Sequence, residues 1–541
     1  MLADAMSLDR RSFVKQLALV GAAIAARQGS AATPKTHSKS HPRKPNIVII
    51  LTDDVGYGDL SCYGATHVRT PRIDELAAHG LRFTDAHSDA ATCTPSRYAM
   101  LTGSYAWRHD GVQILAGDAQ MLIGDNQATI ASVLKEAGYT TGLVGKWHIG
   151  LGRGSIDWNG EIKPGPCETG FDDAFYFPAT ADRVPTVYVH NHRVVNLDPK
   201  DPIAVSYTHK IGDEPTGKEH PELLKMKLTE GHDGTIVDGI SRIGFMTGGK
   251  AARWKDEEIA QTFTAKAEEF IEKNQHHPFL LYFTPSDIHV PRAPGSQFKR
   301  MNDCGVRCDA INEMDWSVGR IIDKLRKLGL EKDTLVIFTS DNGPVVNDGY
   351  DDGSDRNLNG HTPGGPFRGG KYVIFEAGTR VPFITYWPGH IQPGTSNALI
   401  SQLDVLRSLA TLVKQPVPEN QAEDSLDELP ALLGKSKQGR QTLVEESVPA
   451  LAIRDGKWKL IDRSQRPGLH PKPARRAPRP KQHKAGAAEI QWAQAKYPTA
   501  PLELYDVEAD PGETTNLATK FPEVVERLRN ELASLRKEGH S

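Results

Sequence analysis

The chain is predicted to be an α/β protein: a mostly parallel or mixed central sheet flanked by helices, followed by a smaller C-terminal α+β subdomain. Two observations predict it. From Pro45 onward, short apolar runs rich in β-branched and aromatic residues end abruptly in polar ones, with amphipathic helical patterns between them. Strands that are apolar throughout and alternate with helices belong to a sheet covered on both faces. From about residue 440 the pattern changes to strands joined by turns and a closing helix, which sets the tail apart.

The first element is unlike the rest. Residues 1–32 hold Arg10 and Arg11, then Phe13, Lys15, an apolar stretch from Leu17 to Ala26, and small residues suited to cleavage after Ala32. The stretch is too short to cross a bilayer. The segment resembles a twin-arginine export signal, the plainer reading being a basic amphipathic helix. Export to the periplasm or medium is therefore expected, with residues 33–44 as a polar linker. No other run is long and apolar enough to span a membrane, so stable membrane insertion is not expected.

Residues 45–435 read as the main domain. Its strand-like runs are "NIVIILTDD", "TTGLVGKWH", "PFLLYFTPSDIHVP" and "TLVIFTSDNG". Helical patterns include "RIDELAAHGL", "ATIASVLKEAGY", "DEEIAQTFTAKAEEFIEKN" and "INEMDWSVGRIIDKLRKLG". In the last, Ile311, Met314, Val318, Ile321, Ile322 and Leu325 fall on one face. Residues 436–541 form the predicted α+β subdomain, from "ALAIRDGKWKLIDR" and "LELYDVEADPGETTNLA" as strands and "EVVERLRNELASLRKE" as the closing helix. Within it, residues 463–484 carry Arg466, Lys472, Arg475, Arg476, Arg479 and Lys481 among prolines, without an acid. That is either a solvated loop or a contact for an anionic polymer.

Composition narrows the partners. A net charge of −3 over 541 residues gives no global attraction to nucleic acid or anionic membrane. No nucleic-acid partner is expected. The five cysteines, Cys62, Cys93, Cys167, Cys304 and Cys308, are too few and too scattered for a disulfide scaffold or a four-cysteine zinc site. Cys304 and Cys308 either pair or stay reduced.

In open α/β sheets, ligands bind beyond the carboxyl ends of the strands. Here one strand ends in Asp53 and Asp54 and another in Asp341 and Asn342. These are hard oxygen donors of the kind calcium prefers and zinc does not. The other ends bring cations: Lys146 with His148, His289, and Lys371 after two glycines. A strand-end "DD" is often only a turn, and a lone Lys or His only a surface charge. Converging at one sheet edge, they describe a cationic cage beside a hard metal, which fits a tetrahedral oxyanion. Thr94 and Pro95 read as the N-cap and first turn of a helix, which puts Cys93 at an N-terminus that favours an anion. A thiolate nucleophile is one reading, but a thiolate is a soft partner for such a site.

The stretch "CTPSRYAMLTG" resolves this, because it is similar to the signature of the type I, formylglycine-dependent sulfatases of the alkaline phosphatase superfamily. The resemblance extends from about Pro45 to Pro382, with a weaker likeness beyond. It implies an alkaline phosphatase-like sheet, and Cys93 oxidised by a formylglycine-generating enzyme to an aldehyde whose hydrate attacks sulfur. It further implies calcium held by Asp53, Asp54, Asp341 and Asn342 with the modified Cys93. Arg97 and Lys146, with His148 beside them, match the residues around the nucleophile; His289 and Lys371 match the sulfate-binding pair near the leaving oxygen. Ile149, Phe367, Ala377 and Thr379 depart from common family residues without removing a ligand.

The expected activity is hydrolysis of a sulfate monoester on a small molecule or glycan. The alternatives are a phosphonate or phosphate ester hydrolase of the same superfamily and a non-catalytic sulfated-glycan binder. The segments "GFDDAFYFPATADRVPTVYVHNHRVVN" and "EGHDGTIVDGISRIGF" are too long and polar for simple crossovers. They carry Asp182, Arg183, His190, His192, His232 and Asp233, with Tyr188 nearby. Such directional groups suit sugar hydroxyls. Asp182, Arg183, His232, Asp233 and His361 are the candidate substrate contacts, and the likeness leans toward O6-sulfated galactose-type sugars.

Overall fold

The computed structural model describes residues 44–109, 111–448, 450–464, 495–497 and 499–538. The expected export signal, all of the linker before Lys44, and the basic segment beyond Ser464 lie outside them. Ten strands form one sheet: β1 (Asn46–Thr52), β2 (Leu81–Phe83), β3 (Thr140–Lys146), β4 (Asp173–Phe177), β5 (Val189–His190), β6 (Arg193–Val194), β7 (Phe279–Thr284), β8 (Thr334–Ser340), β9 (Phe383–Tyr386) and β10 (Gly394–Ser396). Their order across the sheet is β10-β2-β9-β8-β1-β7-β3-β4-β5-β6. The run from β8 to β4 is parallel; β9 joins β8, and β5 joins β4, antiparallel. The mixed sheet expected from the sequence is the one observed, and its four clearest strands lie side by side at the centre.

Both faces of β1 are buried, as its continuous apolar sequence requires. Ile47, Ile49 and Leu51 enter one apolar cluster, while Val48 and Ile50 enter the other. Seven helices matter to this packing: α1 (Pro71–His79), α2 (Cys93–Thr102), α3 (Ile130–Glu136), α4 (Ile259–Lys273), α5 (Gly305–Lys327), the single turn α6 (Glu376–Thr379) and α7 (Val405–Val413). Residues of α1, α4 and α5 fill the layer against Val48, including all six predicted core residues of α5. Residues of α2, α3 and α7 fill the opposite layer. Helix α3 starts with reciprocal caps, Thr129 Oγ1 accepting from Ser132 N at 3.0 Å and Ser132 Oγ from Thr129 N at 2.9 Å. Cys304 and Cys308 form a disulfide at the start of α5. No helix among the described residues is long and apolar enough to cross a membrane.

The tail forms a four-stranded antiparallel sheet, β11 (Thr442–Ser447), β12 (Ala450–Asp455), β13 (Trp458–Asp462) and β14 (Leu502–Asp506), covered by α8 (Pro522–Glu538). Leu528 and Leu532 of α8 share one cluster with Leu451, Ile453 and Leu460, with Ala99 of α2, and with Tyr105 and Trp107 just beyond that helix. The seam is also ionic. Lys459 Nζ lies 2.9 Å from Glu376 and 3.0 Å from Glu445, all without solvent exposure. His87 bridges Asp85 and Glu445, each at 2.9 Å, and Arg454 binds Asp85 at 2.6 Å.

One joint of this seam sits just before Cys93. Ala91 N donates to Glu446 O, and Glu446 N to Asp89 O, both at 2.9 Å. Burial, with the negative Asp89 nearby, pushes the Glu446 carboxyl up to about 8; burial does the same to Asp89, opposed by Ser401 and Arg440 and reinforced by Asp404 and Glu445. A carboxyl raised in the folded state contributes stability that is complete below its unfolded pKa of about 4.3 and lost as pH rises toward 8. Glu446→Gln is therefore expected to lose about 2 kcal/mol less stability than the parent between pH 6 and pH 8. Denaturant unfolding at the two pH values reads this; identical losses would exclude the carboxyl as the source.

Candidate active site

Because the central strands run parallel and in register, Thr52 lies beside Ser340 and Thr284 beside Gly145, and the residues that follow share one sheet edge. Lys146 Nζ donates to both oxygens of Asp53 at 2.8 Å, and Ser286 Oγ donates to Asp53 at 2.7 Å. Arg97, from α2, donates through Nε to Asp341 Oδ2 at 2.8 Å. Lys371 Nζ donates to Asp54 Oδ2 at 2.9 Å, and Asn342 Nδ2 to Asp54 Oδ1 at 2.7 Å. Helix α2 starts at Cys93 itself, with Thr92 rather than Thr94 in the cap position. The Thr94 hydroxyl turns instead to the His148 carbonyl at 3.0 Å.

Two glycines precede Lys371, and the second allows a close backbone approach. A Cβ on Gly370 would lie 2.5 Å from the Pro344 carbonyl, and that carbonyl accepts from Lys371 N at 2.9 Å. Asp54, His148 and Tyr372 all hold positive φ, at 59°, 57° and 75°. Such backbone is rare outside glycine and gathers at functional sites.

Burial opposes the charge on Asp53, yet Lys146, His289, Arg97 and Lys371 together hold its carboxyl well below the ordinary range. Asp341 goes the other way: burial, only partly offset by Arg97, raises it to about 7. Burial also raises the Cys93 thiol despite Lys146 and Lys371. A resting thiolate is not what this environment favours.

A pocket opens over these groups, lined by Cys93, His289 and Lys371 together with Asp182, Arg183, His232, Asp348, Tyr372, Ile114 and Ile243. His232 Nε2 lies 3.0 Å from Asp182 Oδ2, and Arg183 Nη1 donates to Asp182 at 3.0 Å. The structure does not bring the other polar candidates here. Asp233 is exposed. His361 is buried beside Asp59 at 2.8 Å, in a cluster with Arg307, whose Nη2 donates to the Asp54 carbonyl. His190 and His192 pair with Asp173 and Glu168 near the sheet edge, and Tyr188 packs in the apolar layer beside Phe263. Sequence reasoning missed Ser286, Asp348 and Tyr372. Ser286 and Tyr372 adjoin motifs already singled out, whereas Asp348 lies in an acidic loop with no strand or helix end to flag it.

The donor set suits a hard cation. Asp53, Asp54 and His289 present ligand atoms within 4.8 Å of one another. Asn342 Oδ1 is buried with no hydrogen-bond partner among the described residues, the state of a carbonyl oxygen awaiting a ligand. A second cluster, Asp85, His87 and Glu376, has similar spacing, but Arg454, Arg380 and Lys459 already neutralise it.

Charge of this kind around a nucleophile position binds a tetrahedral oxyanion and prepares it for displacement, the task of the hydrolases that act on sulfate and phosphate esters. Residues 45–415 match the family model described as Sulfatase. The chain is 48% identical over 496 residues to the N-acetylgalactosamine-6-O-sulfatase of Bacteroides thetaiotaomicron, covering 91% of this chain and 93% of that one. It is 32% identical over 509 residues to human arylsulfatase A, covering 90% and 87%. A solved Bacteroides thetaiotaomicron structure, described as a 6S-sulf from the metabolism of multiple glycosaminoglycans, superposes with a TM-score of 0.84 at 48% identity, over 92% of this chain and 100% of that one. The chain belongs to the sulfatase family, as a type I enzyme, and it is a sulfuric ester hydrolase.

A hard divalent cation added in hundredfold excess over its Kd is expected to stabilise metal-stripped protein by about 2.7 kcal/mol, seen as a rise in Tm. Asp54→Ala should abolish that rise. Scanning calorimetry with calcium or chelator decides, and an equal rise in the variant would place the cation elsewhere.

Proposed function

We propose that this sulfatase removes a sulfate monoester from a carbohydrate of the glycosaminoglycan type, using formylglycine made from Cys93 and calcium held by Asp53, Asp54, Asp341 and Asn342. The observation that carries the substrate class is the pocket wall beyond the cage. Asp182, Arg183 and His232 offer directional donors and acceptors, and Ile114 and Ile243 offer an apolar face, the combination a sugar ring needs. The 48% identity to an N-acetylgalactosamine-6-O-sulfatase supports a 6-O-sulfated N-acetylgalactosamine.

Converted to formylglycine and hydrated by one water, the Cys93 side chain would supply two hydroxyls on one carbon, one to attack sulfur and one whose deprotonation would release sulfate, and calcium held by Asp53, Asp54, Asp341 and Asn342 would supply positive charge for the sulfate oxygens. Arg97 and Lys146 keep Asp341 and Asp53 oriented toward the same space. Burial opposes the Lys371 charge, but Asp348 and Asp54 raise its pKa well above the ordinary value, so the ammonium stays charged for the sulfate oxygens. His289 Nδ1 is engaged by the Val290 carbonyl at 2.7 Å, leaving Nε2 toward Asp54 and the pocket. With Nδ1–H held by that carbonyl, Nε2 donates to the leaving oxygen only from the protonated ring, a form that burial disfavours and that Asp53 and Asp54 favour. His148 donates through Nε2 to the Leu115 carbonyl at 3.0 Å, and burial beside Lys146 keeps the ring neutral. Its Nδ1 has no partner among the described residues and is the atom to take the proton of the second hydroxyl.

Peptide mass spectrometry across Ala91–Arg97 should find formylglycine at position 93 in active protein, and Cys93→Ser should bind substrate without turning it over. Full activity from wholly unmodified thiol would overturn the nucleophile assignment. Arg183→Ala should reduce kcat/KM on a 6-sulfated N-acetylgalactosamine by about 100-fold and on a synthetic aryl sulfate by less than about fivefold, because only the sugar uses that contact. Equal losses, or no turnover of any sulfated sugar, would remove the carbohydrate reading.

A further inference from the structure

We propose that Asp348 is a positioning residue for catalysis, whose single carboxylate ties the Lys371 ammonium and the Tyr372 hydroxyl to the pocket wall. The inference rests on reading this pocket as the sulfate ester site. Asp348 is 4% exposed and lines the pocket with both partners. Its Oδ2 accepts from Lys371 Nζ at 3.0 Å, and its Oδ1 from Tyr372 Oη at 2.8 Å.

Two features separate this from an incidental ion pair. The other anchor of Lys371 is Asp54 at 2.9 Å, a carboxylate of the cation site. A cation held there would repel the ammonium from Asp54, leaving Asp348 as the anchor that keeps it facing the pocket. Tyr372, meanwhile, sits at φ 75°, strained for an aromatic residue, a conformation that persists only when its surroundings over-determine it. Its N–H donates to the Ala91 carbonyl at 2.7 Å, two residues before Cys93, and Asp348 holds its other end.

Asp348 is itself well placed to act as an anchor. The Val345 carbonyl accepts from Arg292 Nη2 at 2.6 Å and Arg307 Nη1 at 2.9 Å. Tyr350 Oη donates to the Ser241 carbonyl at 2.6 Å. The loop is pinned on both sides of the carboxylate, so Asp348 transmits a fixed position to groups that touch the ester.

The test is a double-mutant cycle on matured, calcium-loaded enzyme, with Asp348→Asn, Lys371→Ala and the pair, assayed on a synthetic aryl sulfate and on 6-sulfated N-acetylgalactosamine. Asp348→Asn should lower kcat about 10- to 100-fold while KM moves less than about threefold. The double variant should be no slower than Lys371→Ala alone, because the asparagine amide oxygen still accepts from Tyr372 Oη and the lost charge acts only through that lysine. Additive losses, or a loss confined to KM, would overturn the proposal. Should Asp348→Asn fail to fold, Tyr372→Phe replaces it; a loss of about threefold or more in kcat at constant KM supports the tether, and unchanged kcat refutes it. The aryl sulfate reads the cycle even if the sugar is not turned over, so failure of the carbohydrate reading stays distinguishable from failure of this one.

Discussion

Three carboxylates and three cations are enclosed together at the carboxyl ends of the parallel strands, and the rest of the molecule is arranged so that none is left alone. Lys146 with Asp53, Arg97 with Asp341 and Lys371 with Asp54 are pairs with at most a few per cent exposure. Taking such groups out of water costs several kcal/mol per ion unless each is matched in charge and hydrogen bonding. The match requires β1, β3 and β8 to end at one level, with α2 starting and Lys371 arriving there too. Parallel pairing in register provides the first condition; close backbone approach at Gly370 provides the last.

That requirement also explains the ionic seam between the main sheet and the tail. Lys459 draws Glu376 and Glu445 together, so β13 holds the turn that follows Lys371. Glu446 pairs its backbone with the chain just before Cys93. The C-terminal sheet is thus part of the frame of the site, although it contributes no residue to the pocket lining.

Much of this was legible in sequence, for definable reasons. β1, β3, β7 and β8 announce themselves because they are buried on both faces and end in polar residues, so pattern and ligand positions coincide. Cys93 was legible through a compact local motif, and Asp182, Arg183 and His232 through the unusual polarity of two long connections. Asp233 satisfied the same polar criterion and His361 was a further candidate, yet one points to solvent and the other buttresses Asp59. Which polar side chains of a connection turn inward depends on distant packing such as Arg307 beneath the Asp54 loop, which no local window contains. Asp348 was hidden for a related reason: its partners are fixed by how two loops meet, and neither loop has a periodicity to read.

The pairing of β11 with the segment before Cys93 has a consequence for the order of events in biosynthesis. Cys93 is 2% exposed, and the strand that flanks its loop is made more than three hundred residues later, with Glu446. Until that strand emerges from the ribosome, the segment just before Cys93 lacks its backbone partner. The backbone pairing beside Cys93 is therefore completed only when most of the chain has been made, by two residues that are distant in sequence and touch in the fold.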